Sequence, residues 1–323
     1  MEKLFRTLSD YYSRPDFRKF QNTVGREVYE VFGTSYSNAD GEVRMVTDLC
    51  KSIDGKSFDR LKLYSKKIHG SRSFVEFHNQ DKPTTKELAD MVVIAVATSQ
   101  RKIIFEKTAF IQNKKESTEA NWKIDQDQLY LLHNFPTFKG AKGIFKKSFG
   151  SEVIFLNQSQ TLGNYGFFQS PGEMTLASAL TVYKLQSGDT ISLDEIRKFK
   201  ESVATHSSGF QFPFLDHPMW EDMFYRYFKY FPKHGLPFMN LPFLSNSEIS
   251  LNVYEFIRNW TYFNIGEVCS AFDYIVDKDL STFTRLLLRT VGLSNFIDLN
   301  VEGGDLDSNL TILVAHLNLD EKQ

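Results

Sequence analysis

Asp90 stands directly before an unbroken apolar run, residues 91–97, and 22 residues later the chain reads Gln112-Asn113-Lys114. Such a run is the pattern of a strand buried on both faces, and residues 108–115 form a second candidate strand. Side chains alternate along a strand, so Gln112 and Lys114 point to one face, and on an adjacent strand that face is the one Asp90 overlooks. An acid, an amide carbonyl and an ammonium then converge. That set suits a hard cation such as Mg²⁺, held by the Asp90 carboxylate, the Gln112 side-chain carbonyl and the Asn113 backbone carbonyl. Mn²⁺ accepts the same ligands and is expected to substitute. With a metal activating water, and Lys114 orienting it or offsetting the charge that grows on a phosphate, the set fits phosphodiester hydrolysis.

Other elements must hold that set in place. Phe17, Phe20, Val24, Val28 and Val31 recur at helical spacing and predict an amphipathic helix over 16–32. Glu27 projects within roughly 45° of the centre of its apolar stripe, whereas Glu30 falls about 105° away. Glu27 is therefore a further candidate carboxylate for the metal or its water shell. The plainer alternative is a boundary glutamate whose stem packs while its carboxylate reaches solvent. Residues 33–70 show a weaker pattern, a loop and then a short helix or extended piece through Leu61, Leu63 and Ile68. Residues 73–77 alternate as a strand, and 79–83 are turn chemistry. Residues 103–105 and 108–115 continue the sheet after a polar turn. A helix follows over 125–134, ended by Phe135-Pro136, and then a strand over 153–156.

That order predicts an α/β fold with a mixed central sheet flanked by helices. The second half reads as largely helical, over 171–184, 193–206, 217–231, 247–262, 264–277 and 280–291, until a late strand at 310–315. The expected division is a core at 1–170 and a mostly helical region at 171–323. The two form one unit if the late strand pairs with the first sheet.

Composition bounds the class. A chain of 323 residues with 41% hydrophobic and 24% charged content and nine prolines makes one large domain or two ordinary ones, which excludes disorder, collagen and coiled coil. Cys50 and Cys269 supply neither a disulfide framework nor a zinc finger and fit a reducing compartment. The first residues lack the apolar stretch of a secretory signal. The seven-residue run at 91–97 falls well short of the about 20 residues a membrane helix needs, so a cytoplasmic protein with no membrane partner is expected. The formal charge of −2 is an average. Residues 1–150 hold 26 Lys+Arg and 19 Asp+Glu, and residues 151–323 hold 12 and 21. The basic excess lies in 51–150, where a polyanion would dock. Lys115, Lys139, Lys142, Lys146 and Lys147 are the candidate phosphate contacts, the alternative being a solvated basic loop.

The helix, the Asp strand, the Gln112-Asn113-Lys114 strand, the next helix and the strand after it resemble the PD-(D/E)xK nuclease superfamily over residues 16–157. The Gln at position 112 is similar to the variant of Mrr-like members. The resemblance implies a restriction-endonuclease-like core and a Mg²⁺-dependent DNA endonuclease, acting on duplex DNA in preference to RNA, in restriction or phage defence. It assigns metal binding to Asp90 and Gln112, assistance of attack to Lys114, and the acid of the first helix to Glu27. Gln126 and Tyr130 are similar to the QxxxY element of RecB-type nucleases, although Tyr130 can equally be a packing residue. Gln112 brings no charge, so metal affinity should be lower than at a two-carboxylate site, and a nuclease-like scaffold that binds without cutting stays open. The acidic second half would then recognise sequence, form a homodimer or receive a regulatory protein.

Other signals carry less. Lys139-Gly140-Ala141-Lys142-Gly143 lacks the spacer and the Ser/Thr of a phosphate-binding P-loop. Trp220, Met223, Phe224, Tyr227 and Phe231 could stack bases or form a dimer face, but helix core is the ordinary use of that spacing. The seven histidines show no ligand spacing.

Overall fold

In the computed structural model the apolar run at 91–97 lies at the centre of a ten-stranded mixed sheet. The structure describes residues 2–38, 40–68, 74–115, 121–142, 146, 153, 154, 156, 161–169, 172–206, 249–271, 274–295 and 310–320. The described helices are α1 (Glu2–Ser13), α2 (Pro15–Ser37), α3 (Glu42–Ile53), α4 (Gln126–Asn134), α5 (Ala179–Leu185), α6 (Leu193–His206), α7 (Val253–Thr261) and α8 (Lys278–Thr290). The strands are β1 (Ser57–Phe58), β2 (Leu61–Ile68), β3 (Phe74–Asn79), β4 (Lys82–Glu87), β5 (Met91–Ser99), β6 (Lys102–Lys115), β7 (Asn121–Lys123), β8 (Phe138–Gly140), β9 (Val153–Ile154), β10 (Gly163–Gln169), β11 (Glu173–Ser178), β12 (Thr190–Ser192), β13 (Ile249–Ser250), β14 (Glu267–Ala271), β15 (Tyr274–Ile275) and β16 (Leu310–Asn318).

The large sheet runs β1-β2-β16-β5-β6-β10-β11-β13. β16 is parallel to β5 and antiparallel to β2, β5 is antiparallel to β6, and β6 is parallel to β10. The 14-residue strand β6 is long enough to share one edge between two neighbours. β14 pairs with its residues 105–108 and β10 with residues 110–115. Both faces of β5 are covered, as its apolar run requires. Met91, Val93, Ala95 and Ala97 pack with α1, α2, α3 and α7, whereas Val92, Ile94 and Val96 pack with α4, α5 and α8. A separate four-stranded sheet, β4-β3-β8-β9, leads through β4 directly into Asp90.

The second half departs from its helical expectation. Residues 264–277 form β14 and β15, because a short apolar run reads alike as strand or helix until a partner edge is known. The stretch 171–184 is split by Ser178, whose Oγ accepts from the Thr181 N–H at 3.1 Å and starts α5 only after β11. Asn252 does the same for α7, accepting from the Glu255 N–H at 2.9 Å. These are N-cap signals within stretches expected to be continuous helix. The expected helix at 217–231, its aromatic stripe and the connector at 232–243 lie outside the described residues.

The late strand is longer than expected and central. Leu310, Ile312, Leu313, Val314, Ala315 and Leu317 are all buried between β2 and β5. Strands from both halves of the chain therefore share one sheet. Leu313→Ala should lower unfolding free energy by about 2–5 kcal/mol, measured by urea titration.

Candidate functional site

Asp90 is fixed by its backbone before its side chain acts. Its N–H donates to the Ile111 carbonyl at 3.1 Å, and its carbonyl accepts from the Thr311 N–H at 3.0 Å, so β5, β6 and β16 meet there. The carboxylate Oδ2 accepts from Gln112 Nε2 at 2.5 Å and from the Asn113 backbone N–H at 2.8 Å. Gln112 Oε1 accepts from Gln128 Nε2 at 2.5 Å, and the same Gln128 nitrogen also donates to the Glu87 carbonyl at 2.7 Å. Gln128 sits on the first turn of α4, where the Asp125 side chain caps its N–H at 3.0 Å. The helix start is thus pinned, and with it the amide that orients Gln112.

Burial pushes the Asp90 carboxyl up to about 7. The Asn113 N–H opposes that shift, Glu87 and Glu42 reinforce it, and Lys114 opposes it. Asp90 and Gln112 are therefore in direct contact, and Lys114 acts on Asp90 by charge.

Glu42, not Glu27, is the helical acid at this place. It is the first residue of α3, and its Oε1 accepts from the Lys115 N–H at 2.6 Å. Glu27 instead pairs with Lys56, half-buried at the margin of α2. The buried stripe of α2 runs through Phe17, Gln21, Val24, Val28 and Phe32, which leaves Glu27 beside it. Helical phase gives the face a side chain takes but not the strand end it reaches. The signal for Glu42 was Gly41-Glu42 ahead of the apolar spacing of Met45, Val46, Leu49 and Ile53, inside the stretch of weakest pattern.

A cavity of about 30 Å³ opens between α3 and the sheet, lined by Glu42, Val43, Val46, Lys67, Asp90, Asn113 and Thr311. Asn113 is fully buried, and among the described residues neither polar atom of its carboxamide has a partner. Gly166 lies across from it on β10. A Cβ there would come within 2.5 Å of Asn113 Oδ1, so any larger residue would push the amide aside. The Lys67 ammonium donates to Thr47 Oγ1 on α3 at 2.8 Å.

The remaining expected residues scatter. Gln126 Nε2 donates to Gln186 Oε1 at 2.9 Å, so Gln128 takes the place at the site that the QxxxY reading gave to Gln126. Tyr130 stacks on Phe77 with 6.3 Å between ring centroids, the packing alternative. Lys115 is held within the chain, donating to the Asp40 carbonyl and lying 4.6 Å from the Tyr36 ring centroid. Lys139, Lys142 and Lys146 are exposed, and Lys147 lies outside the described residues.

Asp90 and Glu42 bring two carboxylates to the lining of one cavity, the ligand type that a hard divalent cation takes. Among the described residues no three His, Cys, Asp or Glu side chains gather at one point, so amide, hydroxyl or backbone oxygens must complete any ligand set. No described helix is long and apolar enough to cross a membrane. Comparison with family models, curated proteins and solved structures finds no match to the chain.

The Asp90 shift has a testable sign. Its folded pKa lies above the unfolded value, so the folded state binds the extra proton, and stability falls as pH rises from about 4 through about 7. In EDTA, Asp90→Asn should remove this slope and be the more stable protein at pH 8, by on the order of a few kcal/mol. Urea titrations of both proteins at pH 5 and pH 8 check it. Parallel pH dependences would show that Asp90 is not the titrating group.

Proposed function

We propose that this chain is a Mg²⁺-dependent nuclease of the PD-(D/E)xK type, hydrolysing phosphodiester bonds in duplex DNA. The observation that carries the reading is the contact of Asp90 with the Gln112-Asn113-Lys114 strand, at the mouth of two adjacent antiparallel strands. The succession α3, β2, β5, β6, α4, β10 supports a restriction-endonuclease-like core around that contact. Asp90 and Glu42 are the carboxylates that would hold the metal. When bound, Mg²⁺ supplies Lewis acidity to the phosphoryl oxygen and acidity to water. The Lys114 ammonium acts on Asp90 by charge and shares the α4 face with Gln112 by strand alternation; it would offset charge growing on a phosphate bound at the strand ends. Lys139, Lys142 and Lys146 would hold flanking phosphates. Cutting both strands needs two such sites, which gives the acidic second half a role in a homodimer or with a regulatory protein. Restriction or phage defence is the setting such an enzyme fits.

One observation favours a second reading, a nuclease-like scaffold that binds without cutting. Gln112 turns an amide N–H, not an oxygen, toward Asp90.

Purified protein incubated with plasmid and linear DNA in Mg²⁺, Mn²⁺ or EDTA separates the two. The nuclease reading expects metal-dependent cleavage, reduced about 100-fold or more by Asp90→Ala and by Lys114→Ala and unchanged by Glu27→Gln. Binding without cleavage would establish the scaffold. Lys139→Glu with Lys142→Glu should weaken DNA binding and flatten its dependence on salt, read by fluorescence anisotropy from 50 to 200 mM NaCl.

A further inference from the structure

Gln128 is one member of a hydrogen-bonded ring that closes on the strand it serves. Its Nε2 donates to the Glu87 carbonyl at 2.7 Å and to Gln112 Oε1 at 2.5 Å, and Gln112 Nε2 donates to Asp90 Oδ2 at 2.5 Å. Glu87 ends β4 and stands three residues before Asp90. The ring through Glu87, Gln128, Gln112 and Asp90 therefore begins and ends on one short piece of chain, and it fixes the carboxylate against its own strand entrance. Gln112 and Gln128 are 6% and 7% exposed, so water has little access to replace either bond.

An amide can turn over and exchange its donor for its acceptor, but the partners here forbid it. A backbone carbonyl only accepts, so the Gln128 atom on Glu87 must be nitrogen. That nitrogen demands an oxygen from Gln112, which leaves the Gln112 nitrogen for Asp90. The far end asks for the same thing, because a carboxylate accepts and does not donate. Two separate acceptors thus set one polarity along the relay. The first turn of α4 holds Gln128 to this task from outside the ring. Asp125 caps the Gln128 N–H at 3.0 Å, and the Lys86 ammonium pairs with Asp125 at 2.5 Å. The end of β4 and the start of α4 are therefore docked through two consecutive residues, Lys86 by charge and Glu87 through the relay.

We infer that Gln128 is a positioning residue of the reaction, acting on Asp90 through Gln112. It holds Gln112 as a donor, so that Asp90 Oδ2 is tied to the protein by Gln112 and the Asn113 N–H, and Oδ1 carries neither of these bonds. The inference rests on the reading of Asp90 as a carboxylate that serves phosphodiester hydrolysis. A reacting group displaced by about an ångström can lose about 100-fold in rate, and a carboxylate whose aiming amide has lost its own support is free to move that far. The QxxxY pattern does not single out Gln128. It lies two positions after Gln126, and the residue four positions further on is Leu132, not a tyrosine.

Two measurements on the full chain test it. Gln128→Met keeps the length of the side chain and removes both donors. In EDTA, the side-chain amide resonance of Gln112, in protein labelled with ¹⁵N-glutamine and assigned by its loss in Gln112→Met, reports the relay without any reaction. It should shift in Gln128→Met and in Asp90→Ala, each of which breaks one end. With Mg²⁺ and plasmid DNA, Gln128→Met and Gln112→Met should each lower kcat about tenfold or more, with KM held within about threefold. Because Gln128 acts through Gln112, adding Gln128→Met to Gln112→Met should lower kcat by no more than about twofold further. Thermal unfolding in EDTA shows whether each variant is folded, and Gln128→Leu replaces Gln128→Met in both measurements should the latter fail to fold. Losses that multiply in the double variant would mark Gln128 as a packing residue and overturn the inference. A Gln112 resonance or a kcat indifferent to the loss of Gln128 would do the same, and each of these results leaves the nuclease reading standing. Absence of metal-dependent cleavage in the parent would overturn the nuclease reading and the role of Gln128 with it.

Discussion

A half-buried, desolvated carboxylate at a three-strand junction is the constraint on which the candidate site depends. Asp90 joins β6 and β16 through its backbone and holds the end of β6 through its side chain. Its desolvation is met by one amide and one backbone N–H, so Gln112 must be aimed at it. Aiming Gln112 requires Gln128, which requires the capped start of α4. On the other face, the end of β6 is held to the start of α3 by Glu42 and by the Lys115 ammonium on the Asp40 carbonyl. Each helix beside the mouth thus enters by its first turn, where free N–H groups and short polar side chains give the firmest local geometry. A site built from strand ends and helix starts is stiffer than one built from loops, and that stiffness is what an unsatisfied amide such as Asn113 needs to stay in place.

Much of this was legible where the pattern is local. The apolar run fixes β5 as a strand buried on both faces, period-2 alternation separates Gln112 from Asn113, and helical spacing finds α2 and α4. Non-local pairing was not legible. Nothing in 310–318 says that it enters between β2 and β5, and nothing in 267–271 says that an edge of β6 awaits it. Glu27 and Glu42 show the same limit within the site. Both are acids beside apolar helical stripes, and only the packing of α3 against the ends of β2, β6 and β16 decides which one shares a cavity with Asp90. Gln126 and Gln128 differ by two positions on one helix, and that difference turns one toward Gln186 and the other toward Gln112.

The charge asymmetry along the chain takes a different meaning once the fold is known. Among the described residues the acidic half does not fold apart from the basic one, because β14 and β16 pair directly with strands of the basic half. Nor are all the cations of residues 51–150 available to a polyanion. Lys107 is fully buried, where burial pushes its ammonium down to about 7. Lys56 and Lys86 are paired with Glu27 and Asp125, and Lys115 is spent on holding α3. The exposed residues that remain include Lys139 and Lys142, on and just after β8 of the small sheet. That sheet reaches the site through β4, whose last residue, Glu87, accepts from Gln128 and is followed three positions later by Asp90. A phosphate backbone held at β8 would therefore be carried by a sheet whose strand β4 runs on into Asp90, and the basic excess matters for where it sits in the fold, not for its sum.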